Sequence, residues 1–272
     1  MSNRLEISAH SRVVPGRLEE LKSLAEEFIL QTKEKDTRTL RFDWYMTADQ
    51  TETEIREEYL DAPGFVEHKT NTAAITEKMF SGPATGHRVD IFGDPPPMLV
   101  QKVEQTPMGK TVSWFHFMQG LGAEPASYWS RVASSGVKPG LEVGAHMTLR
   151  PDQVEGFRKQ AAEMMRLTRE KDTRTLRYDW FISREGSACE VREAYLDDEA
   201  LIEHNTNIEA ARNLLFERFA DNHFMTVYGE ATPALLNLVN ATSMEGHFKF
   251  FFLLGGLGDP VAASASGASR GV

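Results

Sequence analysis

The sequence predicts an α+β protein built from two tandem β-α-β-β-α-β units, and three observations carry that prediction. Long stretches of the chain recur at one fixed offset. Within each copy, apolar residues alternate with period 2, then fall at helical spacing, then alternate again. Capping and turn residues stand where the period changes.

The recurrence is extensive. LEISAHSRVVP at 5–15 returns as LEVGAHMTLRP at 141–151, KEKDTRTLRFDWY at 33–45 as REKDTRTLRYDWF at 169–181, and EIREEYLD at 54–61 as EVREAYLD at 190–197. His10 and His146, Trp44 and Trp180, and His68 and His204 are each separated by 136 residues, so the copies align without an insertion. SWFHFMQGLG and KFFFLLGGLG extend the match. The implied organisation is a first unit in 1–122, a Ser-, Gly- and Pro-containing linker at 123–140, a second unit at 141–258, and a flexible small-residue tail at 259–272.

Leu5, Ile7 and Ala9 alternate with Glu6, Ser8 and His10, the pattern of a strand with two unlike faces. Past Pro15, Leu18, Leu21, Ala25 and Phe28 mark a helix, matched by Val154, Phe157, Ala161 and Met164. TLRFDWYM places Leu40, Phe42, Trp44 and Met46 on one face of a second strand. TEIREEYL places Ile55, Glu57 and Tyr59 on one face of a third. Asp61 caps a following helix whose stripe runs through Phe65, His68, Ile75 and Met79, and Arg88 to Phe92 form the fourth strand. That order is the ferredoxin-like unit, with its helices on one sheet face. A short helix near Met98 or Leu235 then precedes an aromatic strand at Trp114–Phe117 or Phe250–Leu253. Whether that strand pairs within its own copy or across to the other is left open. The second face of so small a sheet also needs cover, and packing two sheets face to face supplies it.

Composition narrows the function classes. A formal net charge of −10 without a basic block disfavours nucleic acid as a partner. The longest apolar stretch, Phe250 to Leu257, is too short to cross a membrane, and the N-terminus lacks the apolar core of a signal peptide, which points to a cytoplasmic protein. Cys189 is the only cysteine, so no intrachain disulfide forms.

Three duplicated features, TRTLRFDW/TRTLRYDW, EEYLD/EAYLD and the helical VEHKTN/IEHNTN, resemble the antibiotic-biosynthesis-monooxygenase (quinol monooxygenase-like) family. The resemblance covers roughly 5–94 and 141–230. It implies the dimeric α+β barrel, here closed as an intramolecular pseudo-dimer, with room for further homo-oligomerisation. It also implies a monooxygenase needing no metal or flavin, with dioxygen as co-substrate and a small aromatic hydroquinone- or anthrone-like substrate. The acidic residue, the aromatic two positions later and the helical histidine of the family's pattern fall on Glu57, Tyr59 and His68, and on Glu193, Tyr195 and His204. Asn71 and Thr72, with Asn207 and Ile208, depart from that pattern where a ligand would be gripped.

A deprotonated phenol or enol can itself reduce dioxygen, so the protein need only hold the anion, take the proton and exclude water. Glu57 and Glu193 are the expected bases and His68 and His204 their orienting partners, while Trp44, Tyr59 and Asn71, with Trp180, Tyr195 and Asn207, are the expected substrate contacts. The competing reading has Glu57 and His68 bonded to each other in an ordinary core, with the aromatics as packing. On the opposite sheet face, His10, Arg41, Asp43, Glu54 and Arg56 and their counterparts read as structural charge networks. His87 and His223 read as exposed or pocket-edge residues. The charged TREKDTRTL stretch reads as a solvated helix end. No metal-binding motif is present. A non-catalytic ligand-binding or stress-related module, and a haem-degrading monooxygenase, are the alternatives. The copies differ at Glu58/Ala194, Tyr45/Phe181, Lys69/Asn205 and His116/Phe252.

Overall fold

In the first copy, nine alternating residues from Leu5 open the fold as β1 (Leu5–Val13), and the helical spacing after Pro15 becomes α1 (Leu18–Lys35), which buries Leu21, Ala25 and Phe28. β2 (Thr39–Thr47), β3 (Glu52–Tyr59), α2 (Ala62–Asn71), α3 (Ala73–Ser81), β4 (Ala84–Phe92), α4 (Pro97–Glu104), a 3₁₀ turn at Pro107–Lys110 and β5 (Val112–Gln119) follow. The second copy repeats the order as β6 (Leu141–Leu149), α5 (Val154–Lys171), β7 (Thr175–Ser183), β8 (Ala188–Tyr195), α6 (Asp198–Asn207), α7 (Glu209–Arg218), β9 (Ala220–Gly229), α8 (Pro233–Ala241) and β10 (Phe248–Gly256). The start of every matched pair up to β4 and β9 keeps the offset of 136. The computed structural model describes residues 4–125, 139–241 and 247–258. The expected tail, and most of the expected linker, lie outside them.

Local chemistry explains the boundaries. The turn after β1 uses Gly16 at φ +80°, and Asp152 adopts φ +61° at the same place in the second copy, both in the left-handed region that a tight reversal requires. Asp61 and Asp197 accept the backbone N–H of Gly64 and Ala200, capping α2 and α6. The expected single stripe through Phe65, His68, Ile75 and Met79 is carried by two helices. The break falls at Thr72 (φ −102°, ψ 4°) and Ile208 (φ −100°, ψ 0°), and the Thr72 hydroxyl donates to the His68 carbonyl. A β-branched residue in the bridge region, with its hydroxyl bonded one turn back, bends the path there.

Among the described residues, one compact unit comprises Asp90–Asp94 and Ser113–Phe252. The other comprises the residues up to Val89, Pro95–Val112 and those from Leu253 onward. In the latter, β3 is central, antiparallel to both β1 and β2, with Ile7 and Phe42 flanking Glu57 and Trp44 opposite Ile55. In the former, the strand order is β10-β9-β6-β8-β7-β5. β6 and β8 lie antiparallel, and β10 runs parallel to β9.

The question left open about the last aromatic strand has a definite answer. β5 of the first copy pairs antiparallel with β7 of the second, Phe117 opposite Phe181. At the other end of the chain, the N–H of Leu257 donates to the carbonyl of Phe42 on β2. Glycine makes both approaches feasible, because a Cβ on Gly120 would strike the Asp179 carboxylate and one on Gly256 would strike that of Asp43. Those carboxylates are bound by Arg177 and Arg41 at 2.8 and 2.7 Å, so part of the expected charge network is present as local ion pairs. Arg192 lies 4.3 Å from the centre of the Phe92 ring, and Phe92, Phe115 and Phe181 form an aromatic cluster beside it.

The second unit's core gathers Val143, Phe157, Ala161, Met164, Tyr178, Trp180, Val191 and Tyr195 between one face of its sheet and the helices α5 to α7. Burying side chains of this size contributes about 1.5–3 kcal/mol each. Cys189 is buried in β8 as an ordinary strand residue. Among the described residues, no helix is long and apolar enough to cross a membrane.

Candidate functional site

Helix α2 sets His68 against the sheet, over the face that carries Phe42 and Tyr59, with ring centres 4.9 and 5.4 Å away. His204 repeats this over Tyr178 and Tyr195 at 4.6 and 5.5 Å. Both imidazoles are buried. Trp44 and Trp180 fill the same face, Trp44 near Phe28 and Phe42, and Trp180 near Phe157 and Tyr178.

Glu57 and His68 lie on this face, yet they are not bonded to each other. Glu57 accepts the Tyr59 hydroxyl at 2.5 Å, and Glu193 accepts that of Tyr195 at 2.7 Å. Burial and the neighbouring carboxylate push both tyrosine hydroxyls well above the usual phenol range. Burial likewise pushes the Glu193 carboxyl up, against the charge of His204 and the hydrogen bond from Tyr195.

The histidines are held by aspartates. His68 Nδ1 is 2.7 Å from Asp36 Oδ2 with both side chains at most 1% exposed, and His204 Nδ1 is 2.6 Å from Asp172 Oδ2. Asn71 and Thr39 donate to Asp36, and Asn207 and Thr175 donate to Asp172, at 2.7–2.9 Å. Burial pushes each aspartate up, but the hydrogen bonds and the imidazole charge hold it below the ordinary carboxylate range. An ionised carboxylate only accepts, so Nδ1 carries the proton and Nε2 of a neutral ring presents a lone pair. That Nε2 atom is buried and without a hydrogen-bond partner in both copies.

This overturns the reading of the KDTR stretch as a solvated helix end. Asp36 is fixed by His68, the N–H groups of Thr37 and Arg38 donate to Glu67, and Arg38 pairs with Asp61. The loop between α1 and β2 is a clamp on α2. Asp36, Thr39, Asp172 and Thr175 are the side chains of the candidate site that sequence reasoning missed. The signal available was the identity of KDTRTLR in both copies, where solvated helix ends drift. Asn71 and Asn207, expected as ligand contacts, instead donate to the aspartates.

In the second copy, the orphaned imidazole nitrogen belongs to a residue that lines a cavity of about 30 Å³, with Tyr178, Trp180, Glu193, Arg212 and His223 among the other walls. His223, in the cavity wall, stacks on Phe216 at 4.4 Å, and His87 lies tilted against Phe80 at 4.2 Å. Burial, reinforced by the charge of Lys69 on one and of Arg212 on the other, pushes each imidazole down to about 4. Among the described residues, no three His, Cys, Asp or Glu side chains gather closely enough to hold a metal ion.

No protein-family model and no curated protein matches the chain. Solved structures share its fold. A candidate monooxygenase from Fusobacterium nucleatum superposes with a TM-score of 0.56 at 11% identity, covering 82% of this chain and 90% of its own. One from Lactobacillus acidophilus gives a TM-score of 0.53 at 9% identity, covering 82% and 91%. At these identities the likeness is one of fold.

Proposed function

We propose that the chain is a cofactor-independent monooxygenase of the antibiotic-biosynthesis type, acting on an aromatic hydroquinone- or anthrone-like molecule. We take its two copies as ferredoxin-like units forming an intramolecular α+β barrel. The observation that carries the activity is the buried aspartate–histidine pair, whose Nε2 has no hydrogen-bond partner and whose histidine in the second copy lines the cavity. The similarity of fold to candidate monooxygenases supports the same reading.

His204 Nε2, and His68 Nε2 in the first copy, take the proton from the substrate's acidic C–H or O–H, while Asp172 and Asp36 fix the ring and balance the imidazolium. The substrate carbanion or phenolate passes one electron to dioxygen. The resulting radical and superoxide join in a C–O bond, and the imidazolium protonates the peroxide. Loss of the remaining proton from that carbon then drives O–O cleavage, so that the C–H electron pair becomes the carbonyl bond and the departing hydroxide takes up the proton and leaves as water. Glu193 and Glu57, tied to their tyrosines, contact the substrate's oxygen. Trp44 and Trp180 form the aromatic floor.

A volume of about 30 Å³ accommodates a water or a dioxygen, whereas sites for ring-sized ligands run to roughly 300 Å³ or more. The substrate therefore enters when the α6–α7 cover, already broken at Ile208, moves outward. The same small volume favours, as a second reading, a module that binds without turnover.

Oxygen uptake by metal-free protein over a panel of anthrones and hydroquinones separates the readings. Turnover is expected, falling about 10²–10⁴-fold in the His68→Ala/His204→Ala double variant. Glu57→Gln/Glu193→Gln is expected to slow it as well. No uptake above background, or an unchanged rate in the histidine double variant, sinks the oxygenase reading.

A further inference from the structure

The two copies place a cation beside the buried glutamate from different helices. In the first copy it is Lys69 on α2, whose Nζ lies 3.9 Å from Glu57 Oε2. The equivalent position in the second copy is Asn205, which is uncharged. There the cation is Arg212 on α7, whose guanidinium donates to Asn205 Oδ1 at 2.6 Å and which lines the cavity with Glu193 and His204. The first copy has Thr76 at the Arg212 position, with its hydroxyl buried and unpartnered.

One charge has thus exchanged places between two neighbouring helices, seven residues apart, Lys/Thr in one copy against Asn/Arg in the other. A structural ion pair has no reason to move in this way. A site needing one positive charge near one point in space can be served from either helix, because α2 and α3, like α6 and α7, cover the same sheet face. The unpartnered Nε2 atoms of His68 and His204 show that each site has polar capacity beyond what the chain itself satisfies.

We infer that Lys69 and Arg212 are equivalent specificity-determining residues, one per copy, and that each pocket takes its aromatic ligand as an anion, a phenolate or enolate whose oxygen the cation holds. The identity of that anion as a substrate rests on the oxygenase reading; the cation's role in binding does not. A cation there offsets the desolvation of a charged oxygen in a mostly apolar pocket, which binding a neutral phenol would not need. The depressed imidazoles of His87 and His223 register the same positive charge.

4-Nitrophenol is a suitable probe, because its visible absorbance reports its ionisation and it is not oxidised by dioxygen under these conditions. The wild-type full chain is expected to bind it as 4-nitrophenolate and to lower its apparent pKa. Lys69→Asn/Arg212→Thr is expected to weaken nitrophenolate binding at least tenfold and to return the probe's pKa to its solution value. The decisive variant is Asn205→Lys added to Arg212→Thr, which rebuilds the first copy's arrangement in the second. It is expected to restore binding in the Lys69→Asn background. Folding of each variant is checked by its urea midpoint. Failure of the wild type to bind nitrophenolate, or failure of Asn205→Lys to restore binding in a folded chain, overturns the inference. Restored binding without oxygen uptake by any variant or the wild type leaves this inference standing and removes the oxygenase reading.

Discussion

The two copies share the hydrogen-bonded framework around the histidine and differ among the side chains packed about it. Asp36, Thr39, Trp44, Glu57, Tyr59, His68, Asn71 and His87 all recur in the second copy, with matching hydrogen bonds around the histidine and the glutamate. Phe42 faces Tyr178, Lys69 faces Asn205, and Thr76 faces Arg212. Divergence after duplication has therefore spared the hydrogen-bonded cluster around each histidine, while buried positions outside it, Phe42/Tyr178 and Glu58/Ala194 among them, have changed. A buried polar group left without its partner incurs its full desolvation cost, which holds the cluster together as a set.

The largest expected effect tests whether the framework is equivalent in both copies. Asp36→Ala and Asp172→Ala each strip three hydrogen bonds from a buried cluster, and each is expected to cost about 3–5 kcal/mol. Urea denaturation would show it. A loss below about 1 kcal/mol in one copy and not in the other would break the comparison.

Acid comes next. His87 and His223 have folded values near 4 against an ordinary 6.5. Their contribution is whole above pH 6.5, and is lost as the pH falls toward 4, where the unfolded chain binds protons that the folded chain refuses. Each is expected to account for on the order of 2 kcal/mol. Phe substitution of either histidine should flatten the stability profile in that window by a similar amount. Asp36 and Asp172, with depressed values, add a further loss only below their ordinary 3.8.

Glu193 acts in the opposite sense. Its raised value means that its stability contribution is present below the ordinary 4.5 and is lost as the pH rises through the folded value. Glu193→Gln is therefore expected to gain stability at pH 8 relative to pH 4, measured as a difference in urea midpoints. No gain would mean that the carboxyl is not held neutral.

The smallest effect belongs to the buried aromatic beside the second histidine. Tyr178→Phe removes one hydroxyl at nearly constant volume and should shift stability by about 1 kcal/mol. A larger shift in calorimetric melting would show that this hydroxyl belongs to the framework after all.

How much of this was legible in advance differs by residue. Strand faces were readable, because alternation in TLRFDWYM and TEIREEYL separates the two faces, and Phe42, Trp44, Glu57 and Tyr59 do share the face expected, although the charged face is buried too. The Asp61 cap was readable from one residue type before a Pro. Asp36 was not. A lone carboxylate after a lysine-rich helix end has the composition of solvent-facing chain, and only the return of α2 across it, 32 residues later, makes it buried. His68 was recognised, but its partner was misassigned for the same reason.

By itself, the sequence determined the duplication, the order of elements and which faces are apolar, since periodicity and recurrence are properties of neighbouring residues. Only the tertiary structure decided that β5 pairs with β7 and that His68 leans on Asp36 instead of Glu57. It alone placed Lys69 beside Glu57 and Arg212 in the wall that Glu193 and His204 share. Those outcomes depend on which distant side chains satisfy one another once water has been removed, and no local pattern encodes that choice.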